Sequence, residues 1–205
     1  MPKLSIIIPY HADAPLLEET LLSLLESRPD DCEILVVLNA PYDNPYELQE
    51  AEVRFVENLY ENKDDATSLR VGLERCTSPL VQMIPCGCVV SDGWTNAAME
   101  AFSDDSVGCV RPHVVNRETN EPVAEPPEAC GIFLRREACA ELERLEPGYL
   151  LRKLEEKRWK VRRLSQTSVQ VPACHLRTLP RPVGFLGGVY QFFASLFKLP
   201  TVKTV

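Results

Sequence analysis

The chain has 205 residues and a formal net charge of −8, with 45% apolar and 25% charged residues. These values are typical of one globular domain with a proper core, and they argue against a disordered chain and against two domains. Residues 1–150 carry 28 acidic and 11 basic side chains, whereas residues 151–205 carry 2 acidic and 11 basic ones. This asymmetry indicates that the C-terminal part either meets an anionic partner or packs on the acidic body.

The first half of the chain alternates predicted strands and helices. Apolar, β-branched runs predict buried parallel strands at 4–8, 33–38 and 53–56. Apolar residues at helical spacing predict helices at 16–25 and 65–75. A strand, a helix and a strand of these lengths imply a right-handed parallel crossover.

The second half continues the alternation. Its predicted strands are 80–84, 107–110, 131–134 and an edge strand at 160–164. Its predicted helices are 93–102, 136–145 and 150–158. The whole pattern predicts an α/β domain with a mostly parallel sheet flanked by helices, at residues 1–175, followed by a basic and apolar tail at 176–205.

The cysteines indicate a reducing compartment. They are scattered and show no Cys-x-x-Cys spacing, so we expect buried free thiols in the cytoplasm rather than disulfides. The chain enters a predicted strand at once, so no signal peptide is expected. The cysteines are Cys32, Cys76, Cys86, Cys88, Cys109, Cys130, Cys139 and Cys174.

Five segments follow one another in a recognisable order. They are residues 5–10 (Ser-Ile-Ile-Ile-Pro-Tyr), 33–37 (Glu-Ile-Leu-Val-Val), 66–76, 80–94 and 130–138. They resemble, in turn, the nucleotide loop, the second strand, the Ala-Arg-Asn-x-Gly helix, the metal strand and the acceptor-side strand and helix of the family 2 glycosyltransferases. The resemblance covers about residues 3–175 and implies the GT-A fold, which is Rossmann-like.

The departures from the family pattern fall on its working residues. The Asp-x-Asp pair that holds Mg²⁺ or Mn²⁺ becomes Pro85-Cys86-Gly87, so the metal site expected for the family lacks its carboxylates. The Arg-Asn pair becomes Leu69-Arg70, and the base-contacting Asp becomes Asn39. The Glu-Asp pair that supplies the catalytic base falls near Glu146-Pro147, which keeps one carboxylate at most.

The resemblance implies a nucleotide-sugar site at the strand ends, with Glu146 as the candidate catalytic base. Asn39 still donates and accepts hydrogen bonds, so an uncharged base contact is retained. His11 is either a nucleotide contact or a surface loop histidine, and Glu146 is either a base or a loop residue. The predicted donor-binding residues are Pro9, Tyr10, His11, Asn39, Asp43, Arg70, Cys86, Gly87 and Cys88.

The loss of the carboxylates matters because sugar transfer releases a nucleotide diphosphate with concentrated negative charge. Mg²⁺ and Mn²⁺ prefer hard oxygen ligands, whereas thiols favour zinc or copper(I). Cys86 and Cys88, with Cys109 or His113, are candidates for a zinc site, and the alternative is that they are structural cysteines. The spacing matches no familiar zinc pattern, so no metal is assigned.

A metal-free route needs fixed positive charge near the diphosphate. Arg70, Arg152 and Lys153 are the candidates for such a clamp. The alternative is that Arg70 is a solvated helix residue and that the other two belong to an exposed basic face.

The tail contains an apolar run at residues 183–199. On a helix, its aromatic and aliphatic side chains share one face, and the run is shorter than the about 20 residues that span a bilayer. It predicts an amphipathic helix that lies on a membrane surface, docks on the domain, or contacts a second copy.

Two functions are compatible with these observations. The first is a glycosyltransferase-like protein that binds a nucleotide-sugar donor and transfers the sugar to a hydroxyl of a glycan or a lipid-linked acceptor. The second is a catalytically inactive relative that acts as a scaffold or regulator in glycan or envelope assembly. Both place the protein in the cytoplasm, with the inner face of the membrane as a further location, and neither involves nucleic acid.

Overall fold

The computed structural model describes residues 2–48, 52–124, 126, 130–140 and 142–172. The strands are β1 (Leu4–Tyr10), β2 (Cys32–Leu38), β3 (Arg54–Glu57), β4 (Leu80–Met83), β5 (Val107–Asn116), β6 (Phe133–Arg135) and β7 (Lys160–Val171). The helices are α1 (Ala14–Glu26), α2 (Asp65–Arg75), α3 (Asn96–Ala101), α4 (Arg136–Cys139) and α5 (Pro147–Glu156).

The seven strands form one sheet in the order β3-β2-β1-β4-β6-β5-β7. β6 is antiparallel to β4 and β5, and the other neighbouring pairs are parallel. This confirms the predicted α/β class with a mostly parallel sheet. The predicted helix at 183–199 lies outside the described residues, and none of the described helices is long and apolar enough to cross a bilayer.

The core lies on both faces of the sheet. Successive side chains of a strand point to opposite faces, so Ile6 and Ile8 pack in one layer with α1, whereas Ile7 packs in the other with α2. α3 lies on the α1 face, and α4 and α5 lie on the α2 face. The seven cysteines within the described residues are buried free thiols, distributed over these layers, as the sequence predicted.

Pro9 does not end the first strand, contrary to the prediction of a strand at 4–8. β1 continues to Tyr10, and Pro9 pairs in register with Val37 of β2. β4 pairs with β1 only as far as Ile7, and the Pro9 carbonyl on that side accepts from the Cys86 thiol instead. Proline has no N–H to donate, and at Pro9 the ladder between β1 and β4 has already ended, so no hydrogen bond of the sheet is lost.

Several other bounds differ from the predictions. β5 and β7 continue side by side to Asn116 and Val171, well beyond the predicted strands, and β7 is an edge strand as predicted. The predicted helix at 136–145 shrinks to the four residues of α4. Leu142 and Leu145 are nevertheless buried, so the apolar spacing that predicted a helix is satisfied by an irregular segment.

Candidate functional site

The sheet has a topological switch point between β1 and β4. β1 leads through α1 on one face to β2, and β3 leads through α2 on the other face to β4. The carboxyl ends of β1 and β4 and the loops that follow them meet at this point. In open α/β sheets this is the usual position of a ligand.

The loop after β1 carries the first predicted contacts. Tyr10 is buried, with 4% of its surface exposed, and the next residue, His11, is exposed. His11 Nε2 lies 2.9 Å from Asp65 Oδ1, at the first residue of α2. Asp13 accepts from the Leu16 amide and caps α1. This end of β1 is thus fixed to both neighbouring helices.

The loop after β4 is built into the core. The Cys86 thiol lies 3.2 Å from the Pro9 carbonyl, and burial raises the pKa of Cys86 to about 12. The Gly87 amide donates to the Leu16 carbonyl at 3.0 Å and to Thr20 Oγ1 at 2.8 Å. These bonds dock the loop on the first turns of α1.

The same loop does not fit Mg²⁺ or Mn²⁺. Pro85, Cys86 and Gly87 offer no side-chain oxygen, and hard cations require several oxygen ligands. Cys88 Sγ lies 3.8 Å from Cys130 Sγ, in the interior. Across the described ranges, no three His, Cys, Asp or Glu side chains are grouped so that they could hold an ion. The zinc site suggested by the sequence grouped Cys86 and Cys88 with Cys109 or His113. The thiol that lies beside Cys88 is that of Cys130 instead.

Asn39 belongs to a polar network that joins β2, β3 and α2. Its side-chain amide donates to Ser68 Oγ at 2.9 Å, and its carbonyl oxygen accepts from Asn58 Nδ2 at 2.8 Å. Asn58, which is 2% exposed, also donates to Thr67 Oγ1 at 3.1 Å. These internal bonds occupy the groups with which Asn39 would contact a base, so that role stays a prediction.

The loop after β2 folds over the end of β1. The ring of Tyr42 meets that of Tyr10 edge-on, with centroids 5.3 Å apart, and stacks on Phe55 at 5.5 Å. Burial raises the pKa of the Tyr10 phenol, and the neighbouring Cys86, Asp13, Asp43 and Glu18 raise it further. Tyr10 therefore lies under an aromatic cover, among groups that disfavour added negative charge.

A cleft of about 390 Å³ opens on the other side of this loop. It lies at the carboxyl ends of β2 and β3, and exposed Asp43 is on its rim. The lining residues are Leu38, Ala40, Pro41, Tyr42, Asp43, Glu57, Asn58, Leu59 and Lys63.

Glu146 and Arg70 are neighbours on the α2 face. The Arg70 guanidinium donates to the Glu143 carbonyl, and Arg144 Nη2 lies 2.9 Å from Glu146 Oε1. The hydrogen bond from Arg144 holds the pKa of Glu146 below its usual value, and the charges of Arg144 and Arg70 act in the same direction. A carboxylate with a lowered pKa is a weaker general base.

The other candidate cations also have partners. Arg152 and Lys153 both pair with Glu156, and both lie over the ring of Tyr149. Within the described residues, no hydrogen bond or ion pair joins either of them to Tyr10, Asn39 or Cys86. The geometry thus favours the alternative of an exposed basic face.

Sequence reasoning missed Tyr42, Asn58, Ser68 and Lys63. The start of α2 had a readable signal, because Asp64 and Thr67 have the spacing of a capping box, and both hydrogen bonds of that box are formed. This signal places Ser68 in the first turn of α2. The contact between Tyr42 and Tyr10 had no local signal, since it depends on the path of an irregular loop.

A comparison with models of protein families shows to which family the chain belongs. Residues 5–170 match the model described as "Glycosyl transferase family 2". The chain belongs to glycosyl transferase family 2. No curated protein matches the chain, so the family assignment rests on this match.

The solved structures share the fold of this family 2 chain. A mannosyltransferase from Pyrobaculum calidifontis, in complex with GDP-Man and Mn²⁺, superposes with a TM-score of 0.64 at 20% identity over 82% of this chain and 56% of the other. S. aureus TarS 1–349 superposes at 0.67 with 12% identity, over 83% and 60%.

The same TarS fragment in complex with UDP-GlcNAc superposes at 0.66 with 13% identity, over 83% of this chain and 58% of the other. The chain thus spans less than two thirds of each of these structures.

Proposed function

We propose that this chain binds a nucleotide-sugar donor at the carboxyl edge of β1, β2 and β3 without a protein-held divalent cation. The observation that carries the proposal is the edge itself, where the switch point of the sheet and a cleft of about 390 Å³ adjoin loops that bear His11 and Asp43. Membership of the family, and relatives solved with GDP-Man, UDP and UDP-GlcNAc, support a donor of this class.

The predicted site residues then divide into contacts and supports. His11 and Asp43 are exposed and contact the donor. Pro9, Tyr10 and the Cys86–Gly87–Cys88 turn form the floor beneath it, and Asn39 holds the β2 end against α2. Arg70 and Glu146 lie close enough to interact, and Glu146 is the candidate base for an acceptor hydroxyl.

A second candidate is the catalytically inactive scaffold or regulator. The specific observation in its favour is that the positions expected to hold the metal are used to dock the loop on α1. The lowered pKa of Glu146 points in the same direction, because it makes this carboxylate a weaker base. The residue after it is Pro147, so the second carboxylate of the family pair is absent there. In this case the donor is bound and not consumed, or is not bound at all.

Calorimetry against a panel of UDP- and GDP-sugars separates these candidates when it is combined with a product assay. Binding of one nucleotide sugar without turnover supports a donor-binding regulator, and turnover that is lost in Glu146→Gln supports a transferase. The absence of binding at millimolar donor would remove the donor-binding proposal and leave the scaffold.

The acceptor and the membrane contact are part of the same proposal. The apolar segment 183–199, flanked by Arg177, Arg181, Lys198 and Lys203, is a candidate for contact with an anionic membrane surface on the cytoplasmic side, where a lipid-linked acceptor would be met. Flotation of the full chain with anionic vesicles, compared with a chain that ends at residue 182, tests this contact. Equal flotation of the two chains would contradict it.

A further inference from the structure

A pair of thiols lies in the interior beside the loop after β4. Cys88 Sγ is 3.8 Å from Cys130 Sγ, and the two residues are 42 positions apart along the chain. Cys88 has no exposed surface, and 4% of Cys130 is exposed. At this separation the two sulfur atoms are close to van der Waals contact, and a disulfide of about 2.05 Å requires a further approach of about 1.8 Å.

The backbone on both sides of this thiol pair is fixed to β7. Val89, the residue after Cys88, exchanges two hydrogen bonds with Gln170, each 2.9 Å long. Gly131, the residue after Cys130, has a φ of +68°, and a Cβ there would lie 2.8 Å from a side chain of β7. The two thiols therefore meet because their neighbours are anchored on the same strand.

Several other buried thiols are poor nucleophiles. Burial raises the pKa of Cys86, Cys109 and Cys139 to about 12 in each case. The thiolate is the form that reacts with an oxidant, so these thiols react slowly at neutral pH. At Cys130 a second sulfur lies in contact, so an oxidised sulfur there can be trapped as a disulfide within the chain.

We propose that Cys88 and Cys130 form a reversible intramolecular disulfide when the chain meets hydrogen peroxide. The Cys130 thiolate attacks one oxygen of the peroxide, the O–O bond breaks, and the departing hydroxide leaves as water with the proton that the thiol had lost. The Cys88 sulfur then displaces hydroxide from the resulting sulfenic acid, and the Cys88 proton leaves with it as a second water. Two thiols and one peroxide thus give one disulfide and two waters. A dithiol reductant reverses the reaction by exchange.

This disulfide would close a ring of the chain that contains α3 and β5. A ring of this length restricts the unfolded chain and so stabilises the folded one. The bond would also tie the loop after β4 to the segment before β6, which makes the loop harder to open. This consequence does not depend on whether the chain binds a donor.

The test maps the disulfides of the Cys174→Ala chain before and after treatment with millimolar hydrogen peroxide. Cys174 lies outside the described residues, and its removal leaves the seven cysteines that the structure describes. After alkylation and digestion, mass spectrometry should find the Cys88 and Cys130 peptides joined, with the loss of two hydrogen atoms. Dithiothreitol should restore both thiols. The oxidised chain should melt about 5–10 °C above the reduced chain.

Cys88→Ala and Cys130→Ala, each made in the same chain, should abolish this rise in melting temperature. Cys32→Ala is the matched control, because Cys32 is also a buried cysteine, at the start of β2. The control should keep both the cross-link and the rise. The disulfide map itself uses a chain in which Cys88 and Cys130 are intact, so a variant that fails to fold does not affect that result.

Two results would overturn the proposal. The first is that peroxide leaves Cys88 and Cys130 as thiols in a chain that remains folded. The second is that either cysteine is found joined only to a cysteine other than its neighbour, which would mean that the pairing arises in unfolded chains.

Discussion

At the scale of single residues, Glu33, at the amino end of β2, carries a charge that several hydrogen bonds hold in place. Its Oε1 accepts from Ser5 Oγ at 2.5 Å, from the Thr77 amide at 2.7 Å and from Thr77 Oγ1 at 3.0 Å. Burial raises the pKa of this carboxyl, but the hydrogen bonds and the charge of Arg54 outweigh burial and bring it below the ordinary value of 4.5.

This carboxylate makes stability depend on pH. Because its pKa is lower in the folded chain than in the unfolded one, it stabilises the fold above pH 4.5, and the contribution is lost as the pH falls through the folded value. Glu33→Gln should lower the free energy of unfolding by about 1–3 kcal/mol at pH 7 and by less at pH 3. Urea unfolding at both pH values measures this, with Glu26→Gln as an exposed control. A pH-independent difference would contradict the account.

Gly87 stands where the family resemblance predicts a metal-binding carboxylate. Its φ of +85° lies in the left-handed region, and its amide donates to α1. An L-residue there is strained, at a cost of about 1–3 kcal/mol.

Restoring a carboxylate at this position should therefore not restore a metal site. Gly87→Asp and the control Gly87→Ala should lose similar stability in thermal unfolding, because the backbone and not the charge causes the loss. A stable Gly87→Asp chain whose melting temperature rises with Mn²⁺ would show that the position still accepts a metal ligand.

The hydrogen-bond partners of the candidate site residues were not predicted from the sequence. Cys86 was predicted to lie at the strand end, and it does, but its bond to the Pro9 carbonyl joins residues 77 positions apart. The Asn39–Ser68 bond spans 29 positions. Such partners depend on how loops and helices meet in space, and no local pattern specifies them.

At the scale of elements, the sequence predicted most of what was observed. Buried parallel strands are nearly continuous apolar runs, so β1, β2, β3 and β4 were found within a few residues of their ends. The bounds of α2 were predicted as observed, because its apolar spacing is regular and its ends carry clear signals. The antiparallel insertion of β6 was not predicted, since three residues hold no information on direction.

The packing of α2 on β1 depends on Gly72. A Cβ at this position would lie 2.1 Å from Ile7 Cδ1, so the helix can approach the strand only without one. Gly72→Ala should reduce the free energy of unfolding by about 1–3 kcal/mol through overpacking. Denaturant unfolding measures the loss.

A double-mutant cycle identifies the cause. Ile7→Val removes the Cδ1 atom that the new Cβ meets first, so the loss in Gly72→Ala should be smaller in the Ile7→Val background. Additive losses would mean that the helix moves away from the strand rather than pressing on this side chain.

At the scale of the whole molecule, a family 2 fold carries a loop after β4 in which Cys86 and Cys88 are buried. The fold is shared with solved glycosyltransferase structures, and a family fold alone does not establish its chemistry. Residues 1–150 carry 28 acidic side chains. Three of them, Asp13, Glu18 and Asp43, act on Tyr10 at the carboxyl edge of the sheet. An anionic donor at this edge meets repulsion from these carboxylates.

The affinity for a nucleotide sugar, measured with EDTA and again with Mn²⁺, tests this account most directly. We predict one dissociation constant under both conditions, because across the part of the chain that the structure describes no three His, Cys, Asp or Glu side chains are grouped so that they could hold Mn²⁺. Binding that appears or tightens tenfold only when Mn²⁺ is added would contradict the account.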